Sequence, residues 1–224
     1  MNNTQYRFFD ILVALFVSVL LISNIASTKI LTLGKFTFDG GTLLFPLSYI
    51  FGDILTEVYG FRRSRRVIWL GFFSALLMSL VLFVVQILPP ANDWANQQAY
   101  ETILGFVPRI VLASLLAYFA GEFSNSVILS RLKILTKGKY LWTRTIGSTI
   151  IGEGIDTLVF CSVAFYGVLP QPVFWAVLVS NYIFKCAVEI VFTPLTYLIV
   201  GFLKRKEKVD VYDYGVKYNP FQIT

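Results

Sequence analysis

The sequence predicts an all-α fold: a polytopic membrane protein whose single domain, residues 1–224, is a bundle of six transmembrane helices. Composition is the first reason, since 56% of the residues are hydrophobic and 14% are charged, whereas soluble domains carry about 25% charged residues. The second reason is that long apolar stretches recur along the whole chain. The third is that basic residues gather in the short segments between these stretches.

Six apolar segments are each long enough to cross the ~30 Å hydrocarbon core as a helix. They cover residues 9–31, 41–59, 67–88, 105–129, 145–169 and 173–203, and a tail follows at 204–224. The first segment is long and continues into polar helix positions, so we expect a retained span rather than a cleaved signal peptide.

The loops predict the orientation of the bundle. "FRRSRR" at 61–66, "RLKILTKGKYLWTR" at 131–144 and the "KRKEK" tail are basic, whereas the segments at 89–103 and 170–172 carry no positive residue. Of the 19 basic residues, 15 fall on one side, so the positive-inside rule places both termini in the cytoplasm. Since these charges serve as topology signals, we expect membrane lipid as a partner and no nucleic acid.

Charged residues inside the apolar segments are the best site candidates. A charge at a helix centre costs roughly 2.5–3.5 kcal/mol on insertion scales, so such residues are rare and usually functional. Asn24 and Asn181 add amide groups to this set. The charged members are Asp53, Glu57, Glu122, Glu153, Asp156, Lys185 and Glu189, with Lys29 and Arg109 nearer the outer surface.

Helical spacing puts these groups on common faces. Asn181, Lys185 and Glu189 form one stripe on the sixth segment, and Glu153 and Asp156 lie three apart on the fifth. The second segment carries a stripe of Thr42, Pro46, Tyr49, Asp53 and Glu57. Six acids against three bases leave an excess of carboxylates, which must bind protons or meet donors from a substrate or water.

Structural roles stay open for some of them. Lys185 and Glu189 have the spacing of an intrahelical ion pair, and Arg109 has the position of a snorkelling residue. Glu57 and Glu122 lie toward the predicted cytoplasmic surface.

No catalytic motif, phosphate loop or metal cluster is evident, and the chain has no His. We therefore expect no enzyme, no metal and no cofactor. An acidic cavity with aromatic side chains predicts a transporter for a small polar solute with a flat ring. The aromatic candidates are Phe45, Tyr49, Tyr118, Phe160 and Tyr182.

An internal repeat is a further hypothesis. "SYIFGDILTE" from Ser48 aligns with "STIIGEGIDT" from Ser148, and the Ser23–Asn24 pair recurs at Ser124–Asn125. Three helices per half would give two halves of inverted topology, which is a known transporter plan.

Several motifs together resemble one family. "SNIASTK", "FPLSYIFGDILTEVYG", "PRIVLASLLAYFAGE", "LWTRTIGSTIIGEGIDTLVF" and "YNPF" are similar to the bacterial queuosine precursor transporter family, also called the vitamin uptake (VUT) family. The resemblance covers nearly the whole chain. It implies a six-helix inner-membrane protein that imports 7-cyano-7-deazaguanine, 7-aminomethyl-7-deazaguanine or queuine for tRNA modification.

The resemblance also implies a set of site positions. A carboxylate of Asp156 or Glu153 would accept the paired donors of the deazaguanine ring, and Lys185, Arg109 or an Asn would donate to its carbonyl. Asp53 or Glu57 would meet an aminomethyl ammonium or cycle a proton, although Glu57 and Glu153 follow the family pattern less closely. The matched positions are Ser23, Asn24, Phe45, Pro46, Asp53, Arg109, Ser114, Asp156, Thr157, Tyr182 and Lys185.

The complete prediction for a substrate site is Asp156, Glu153, Asp53, Lys185, Arg109, Asn24, Asn181, Glu57, Phe45, Tyr49 and Tyr182. Two alternatives stay open: a substrate-binding subunit of an ATP-driven energy-coupling-factor transporter, and an intramembrane enzyme. The preferred deazaguanine, the energy coupling and a homodimer are also left open by the sequence.

Overall fold

The computed structural model describes residues 6–26, 29–33, 36–105, 108–167 and 170–221. Within these ranges the chain folds into seven α-helices, one 3₁₀ helix and one β-hairpin. Five of the helices are long and apolar enough to cross a membrane. The helices are α1 (Phe9–Ala26), α2 (Phe45–Tyr59), α3 (Phe61–Ile87), α4 (Gln97–Leu104), α5 (Pro108–Leu135), α6 (Leu141–Phe165) and α7 (Gln171–Glu207).

The fold departs from the all-α prediction between α1 and α2. Strands β1 (Ile30–Leu33) and β2 (Phe36–Asp39) pair antiparallel, with Ile30 opposite Asp39 and Leu33 opposite Phe36. A 3₁₀ helix follows at Gly40–Leu43 before α2 begins. The predicted first span therefore ends earlier than residue 31, and the second is a helix of 15 residues rather than an unbroken segment from 41.

The basic segment 61–66 was expected to be a loop and is instead the first turn and a half of α3. Gly60 adopts a φ of +83°, a conformation that glycine reaches easily, so the chain reverses in one residue between α2 and α3. Arg is a good helix former and therefore does not interrupt α3. The short helix α4 in the following loop was not predicted.

Helices α5 and α6 approach closely because two glycines face each other. A Cβ on Gly121 would lie 3.0 Å from the carbonyl oxygen of Gly152, and one on Gly152 would lie 2.8 Å from the Cβ of Asn125. Small residues at such a crossing let two backbones pack tightly in a membrane. This contact fixes α6 against the centre of the bundle.

Apolar side chains both fill the core and cover its outside. Phe16, Leu20, Ile54 and Val58 are almost fully buried between α1, α2 and α3. Along α3 the outward side chains are equally apolar, and Leu77 is 61% exposed. An apolar outer surface of this kind is suited to lipid.

Candidate functional site

A cavity opens among the helices at the end of the bundle away from the C-terminus, which we call the cavity end. It contains about 510 Å³ of empty space, including its open mouth, a size typical of small-molecule sites. Residues from α1, the start of α2, and α5, α6 and α7 surround it. Its lining is Asn24, Gly41, Thr42, Phe45, Ser114, Ala117, Asp156, Thr157, Phe160, Asn181 and Lys185.

Lys185 is the centre of charge in this cavity. Its Nζ lies 2.5 Å from Oδ2 of Asp156 and 3.0 Å from Oε2 of Glu153, so α7 is paired with two acids of α6. The same Nζ lies 4.6 Å from the ring centroid of Phe45, within cation–π range. Lys185 is 11% exposed, whereas both carboxylates are buried. The cavity thus offers a carboxylate and an ammonium side by side, under an aromatic ring.

Five predicted site residues meet on the cavity wall: Asn24, Phe45, Asp156, Asn181 and Lys185. Glu153 lies behind Lys185 through its ion pair. The ion pairs of Lys185 run to α6, so the predicted pairing with Glu189 on the same helix is replaced by contacts between helices. Arg109 belongs to α5, but its side chain lies outside the described part of the structure.

Two predicted aromatic residues are placed differently. Tyr182 donates its hydroxyl to the carbonyl of Ile150, 3.0 Å away, and is not among the residues of the cavity wall. Tyr49 is fully buried, and its hydroxyl lies beside Gly121, next to the Cβ of Asp156. Tyr49 therefore packs beside Asp156 inside the bundle and is not among the residues of the cavity wall.

Asp53 lies deeper, at the contact of α2 with α5. Its Oδ1 accepts a 2.6 Å hydrogen bond from Nδ2 of Asn125, and its side chain is fully buried. One residue earlier on α2, Gly52 leaves room for the carboxylate of Glu122, which a Cβ there would meet at 1.9 Å. Asp53 and Glu122 therefore form a second acidic region between α2 and α5, apart from the cavity wall.

Glu57 lies at the other end of the bundle, which we call the tail end. Its carboxylate accepts hydrogen bonds from Arg144 Nη2 at 2.7 Å and Arg144 Nε at 3.1 Å, and one from Lys204 Nζ at 2.6 Å. Lys133 Nζ is 3.7 Å from the same carboxylate and bonds to Asp210 at 2.5 Å. These five residues are called the Glu57 cluster below.

Sequence reasoning missed the partners of Glu57. Lys133 and Arg144 were interpreted as topology signals because they lie in the basic segment 131–144 between two predicted spans, yet they are 2% and 1% exposed. Gly41 and Ala117 of the cavity wall carried no chemical signal at all. The sequence did contain a usable signal for the cluster. Glu57 lies near one end of its apolar segment, and Lys133, Arg144 and Lys204 lie near the ends of three other segments on the same predicted side of the membrane.

The fold and the cavity define a multi-pass membrane protein with a charged, aromatic-lined site inside its helical bundle. The chain belongs to the putative vitamin uptake transporter family, whose model matches residues 39–199. No solved structure matches it significantly.

Three curated relatives carry related names. A "Probable queuosine precursor transporter" of Bacillus subtilis (strain 168) is 32% identical over 187 residues, covering 83% of this chain and 82% of the relative. The Haemophilus influenzae protein of the same name is 29% identical over 74% of this chain and 70% of its own. The "Queuosine precursor transporter" of Escherichia coli (strain K12) is 26% identical over 74% of each.

Proposed function

We propose that this protein imports queuosine precursors, 7-deazaguanine bases, across the bacterial inner membrane. Its family membership and the names of the three curated relatives support a transporter of this solute class. The observation that carries the proposal is the pairing of Asp156 with Lys185 at 2.5 Å on the wall of an aromatic-lined cavity.

The pairing complements one edge of a guanine-like ring. That edge presents two donors, the N1–H and the exocyclic amine, beside the O6 carbonyl acceptor. A carboxylate accepts two parallel donors in one bidentate contact, which assigns them to Asp156, and the adjacent ammonium of Lys185 donates to O6. Phe45 lies within 4.6 Å of that ammonium and would cover the ring face.

An adenine-like ring presents the opposite pattern at these atoms and would leave buried polar groups of the site without partners. Sites built to hydrogen-bond one pattern reject the other strongly for this reason. The proposed solute is therefore guanine-like. Glu153, 3.0 Å from Lys185, would add negative potential behind the ammonium and so favour a cationic aminomethyl substituent.

The proposed topology has six crossings, with α2 as the short sixth span beside the five longer helices. Both termini then lie in the cytoplasm with most basic residues, and residues 1–224 form one transmembrane unit. Two inverted halves remain part of this proposal. In support, Ser48 and Ser148 make the same bond, each donating to the carbonyl three residues earlier, at 2.6 and 3.0 Å.

We propose a stand-alone secondary carrier rather than a subunit of an ATP-driven complex or an enzyme. The chain has no nucleotide-binding motif, so ATP could act only through other subunits. Accumulation of solute by the purified protein alone in liposomes is the expected result. Uptake only after addition of an ATPase component would favour the subunit alternative.

Asp156→Asn tests the site. The variant keeps the shape of the side chain but loses one of the two acceptors, so we expect uptake of a radiolabelled deazaguanine to fall at least about tenfold. A deazaguanine should raise the unfolding temperature of the parent protein more than adenine does, and this stabilisation should be lost in the variant. Asp93→Asn, in an exposed loop, is the matched control. Uptake by Asp156→Asn at the rate of this control would overturn the assignment.

A further inference from the structure

The C-terminal segment 208–221, which we call the strap, is bound to the bundle along its length. Asp213 Oδ2 accepts from the backbone N–H of Phe61 at 2.8 Å and from the hydroxyl of Ser130 at 2.6 Å. Arg65, 2% exposed, donates to the carbonyl of Asn219 at 2.7 Å, and Trp69 Nε1 donates to that of Pro220 at 2.8 Å. The strap therefore lies across the start of α3 and the end of α5.

Lys133 joins this strap to the helices. Its ammonium donates to the backbone carbonyl of Glu57 at 2.5 Å, to Asp210 Oδ1 at 2.5 Å and to the carbonyl of Val211 at 2.6 Å. An ammonium has three donors, and all three are used here. Two of the three acceptors belong to the strap, so Lys133 cannot keep this arrangement if the strap leaves.

Asp210 gives the Glu57 cluster its second carboxylate. It pairs with Lys133 at 2.5 Å and with Lys204 at 2.9 Å. Although partial burial raises the pKa of Asp210, the hydrogen bonds from Lys133 and Lys204 outweigh this and hold its pKa below the usual range. Three bases, one each from α5, α6 and α7, are thus balanced by Glu57 of α2 and Asp210 of the strap.

Four of the helices that line the cavity also meet at the Glu57 cluster. Phe45, Ser114, Asp156 and Lys185 place α2, α5, α6 and α7 on the cavity wall. The same four helices converge on Glu57. On each helix the residue of the cluster is about 12–19 positions from the residue of the cavity wall, which is roughly 18–28 Å along the helix axis. An opening at the cavity end is therefore accompanied by closure at the tail end.

We propose that the strap and the Glu57 cluster are the gate at the tail end of the solute path, and that the strap leaves α3 and α5 when this end opens. This inference rests on the proposed transport function, which makes the tail end cytoplasmic. A carrier must open each end in turn. Part of the strap is held by hydrogen bonds and ion pairs that water can replace, and Asp210 is already 42% exposed. The rings of Tyr218 and Phe221 also pack against Phe61 and Trp69, so opening this end requires these ring contacts to be released together with the polar ones.

The gate is tested by the reactivity of one buried cysteine. Ser126→Cys, in a chain whose Cys161 and Cys186 are replaced by alanine, places the probe two helical turns from Lys133 on the same face of α5. Ser126 is fully buried and within 3.2 Å of the hydroxyls of Thr56 and Ser64. Modification by a membrane-impermeant maleimide in inside-out vesicles then reports opening of the tail end.

Asp210→Asn should make this cysteine react about threefold to tenfold faster, because it weakens two partly exposed ion pairs. Trp69→Phe, which loses the bond to Pro220 but keeps an aromatic ring, should act in the same direction from a remote point of the strap. Asp93→Asn is the control and should leave the rate unchanged. Thermal stabilisation by a deazaguanine should be retained in all three variants, because none of these residues lines the cavity.

Equal reactivity in Asp210→Asn, Trp69→Phe and the control would overturn the gate. This readout needs no solute movement, so its failure can be told apart from a failure of the proposed solute site. Normal uptake by Asp156→Asn would instead refute the solute site while leaving the cysteine result intact.

Discussion

At the scale of single residues, similar carboxylates have different surroundings. Asp156 has one ammonium partner and borders a cavity, whereas Glu57 is enclosed by three bases. A carboxylate next to empty space remains available to a ligand, whereas an enclosed one holds helices together. The sequence kept Asp53, Glu57 and Asp156 all as site candidates and left a structural role open for Glu57. It could not identify the partners of Glu57, because sequence gives the spacing along one helix but not the residues of its neighbours.

Glu57→Gln should destabilise the protein strongly. The substitution leaves Arg144 and Lys133 buried with less negative charge, and removing one partner of a buried ion pair costs roughly 3–5 kcal/mol. Unfolding in detergent by denaturant should report this loss, with Glu101→Gln on the exposed helix α4 as the matched control. If both variants unfold at the same denaturant concentration, the Glu57 cluster does not stabilise the closed tail end.

Much of the cavity wall was predictable at this scale. Asp156, Lys185, Asn24 and Asn181 stand out because polar groups are costly in apolar segments, and that cost is independent of the fold. The role of Lys133 was not predictable, because a base near a helix end is equally well explained as a topology signal. Its function depends on the strap, whose path over α3 and α5 leaves no pattern in the sequence.

At the scale of elements, hydropathy located the long helices but not the irregular chain between them. Helices α1, α3, α5, α6 and α7 all overlap predicted spans. The hairpin β1–β2 was missed because the apolar strand β1 (Ile30–Leu33) continues the first predicted span, whereas β2 (Phe36–Asp39) lies in the segment between predicted spans. Hydropathy measures transfer from water to lipid and does not distinguish a strand from a helix in a short apolar run.

Gly121→Ala should disturb the contact of α5 with α6 more than its size suggests. The new methyl would lie 2.2 Å from the hydroxyl of Tyr49 and 2.7 Å from the Cβ of Asp156. Relief of this overlap must displace the side chain of Asp156. We therefore expect a loss of about 1–3 kcal/mol in stability together with weaker solute binding.

Gly201→Ala is the matched control, since a Cβ at Gly201 on α7 meets nothing within 4 Å. Replacing a helical glycine by alanine without overlap should stabilise the protein by up to about 1 kcal/mol. Thermal unfolding with and without a deazaguanine measures both effects. An equal response of the two variants would show that close packing of α5 on α6 does not position Asp156.

At the scale of the whole molecule, the two ends of the bundle differ in chemistry. The cavity end has an open site with an excess of carboxylate, whereas the tail end carries the Glu57 cluster and most of the basic residues. This asymmetry is what the positive-inside rule acts on during insertion. It also places the proposed gate on the side where an imported solute would be released.

The proposed topology predicts which side of the membrane each connection occupies. In the chain without Cys161 and Cys186, single cysteines at the exposed positions of Lys29 and Asp93 should react with an impermeant maleimide from outside intact cells. Cysteines at the exposed positions of Arg62 and Lys139 should react only in inside-out vesicles.

Lys29 and Arg62 flank α2 and so test whether this helix crosses the membrane. Its 15 residues extend about 22 Å, which is shorter than the ~30 Å core. In the proposed topology the hairpin and the 3₁₀ helix must therefore complete the crossing. Labelling of both flanking positions from the same side would show that α2 re-enters instead of crossing, and the two inverted three-helix halves would then be wrong.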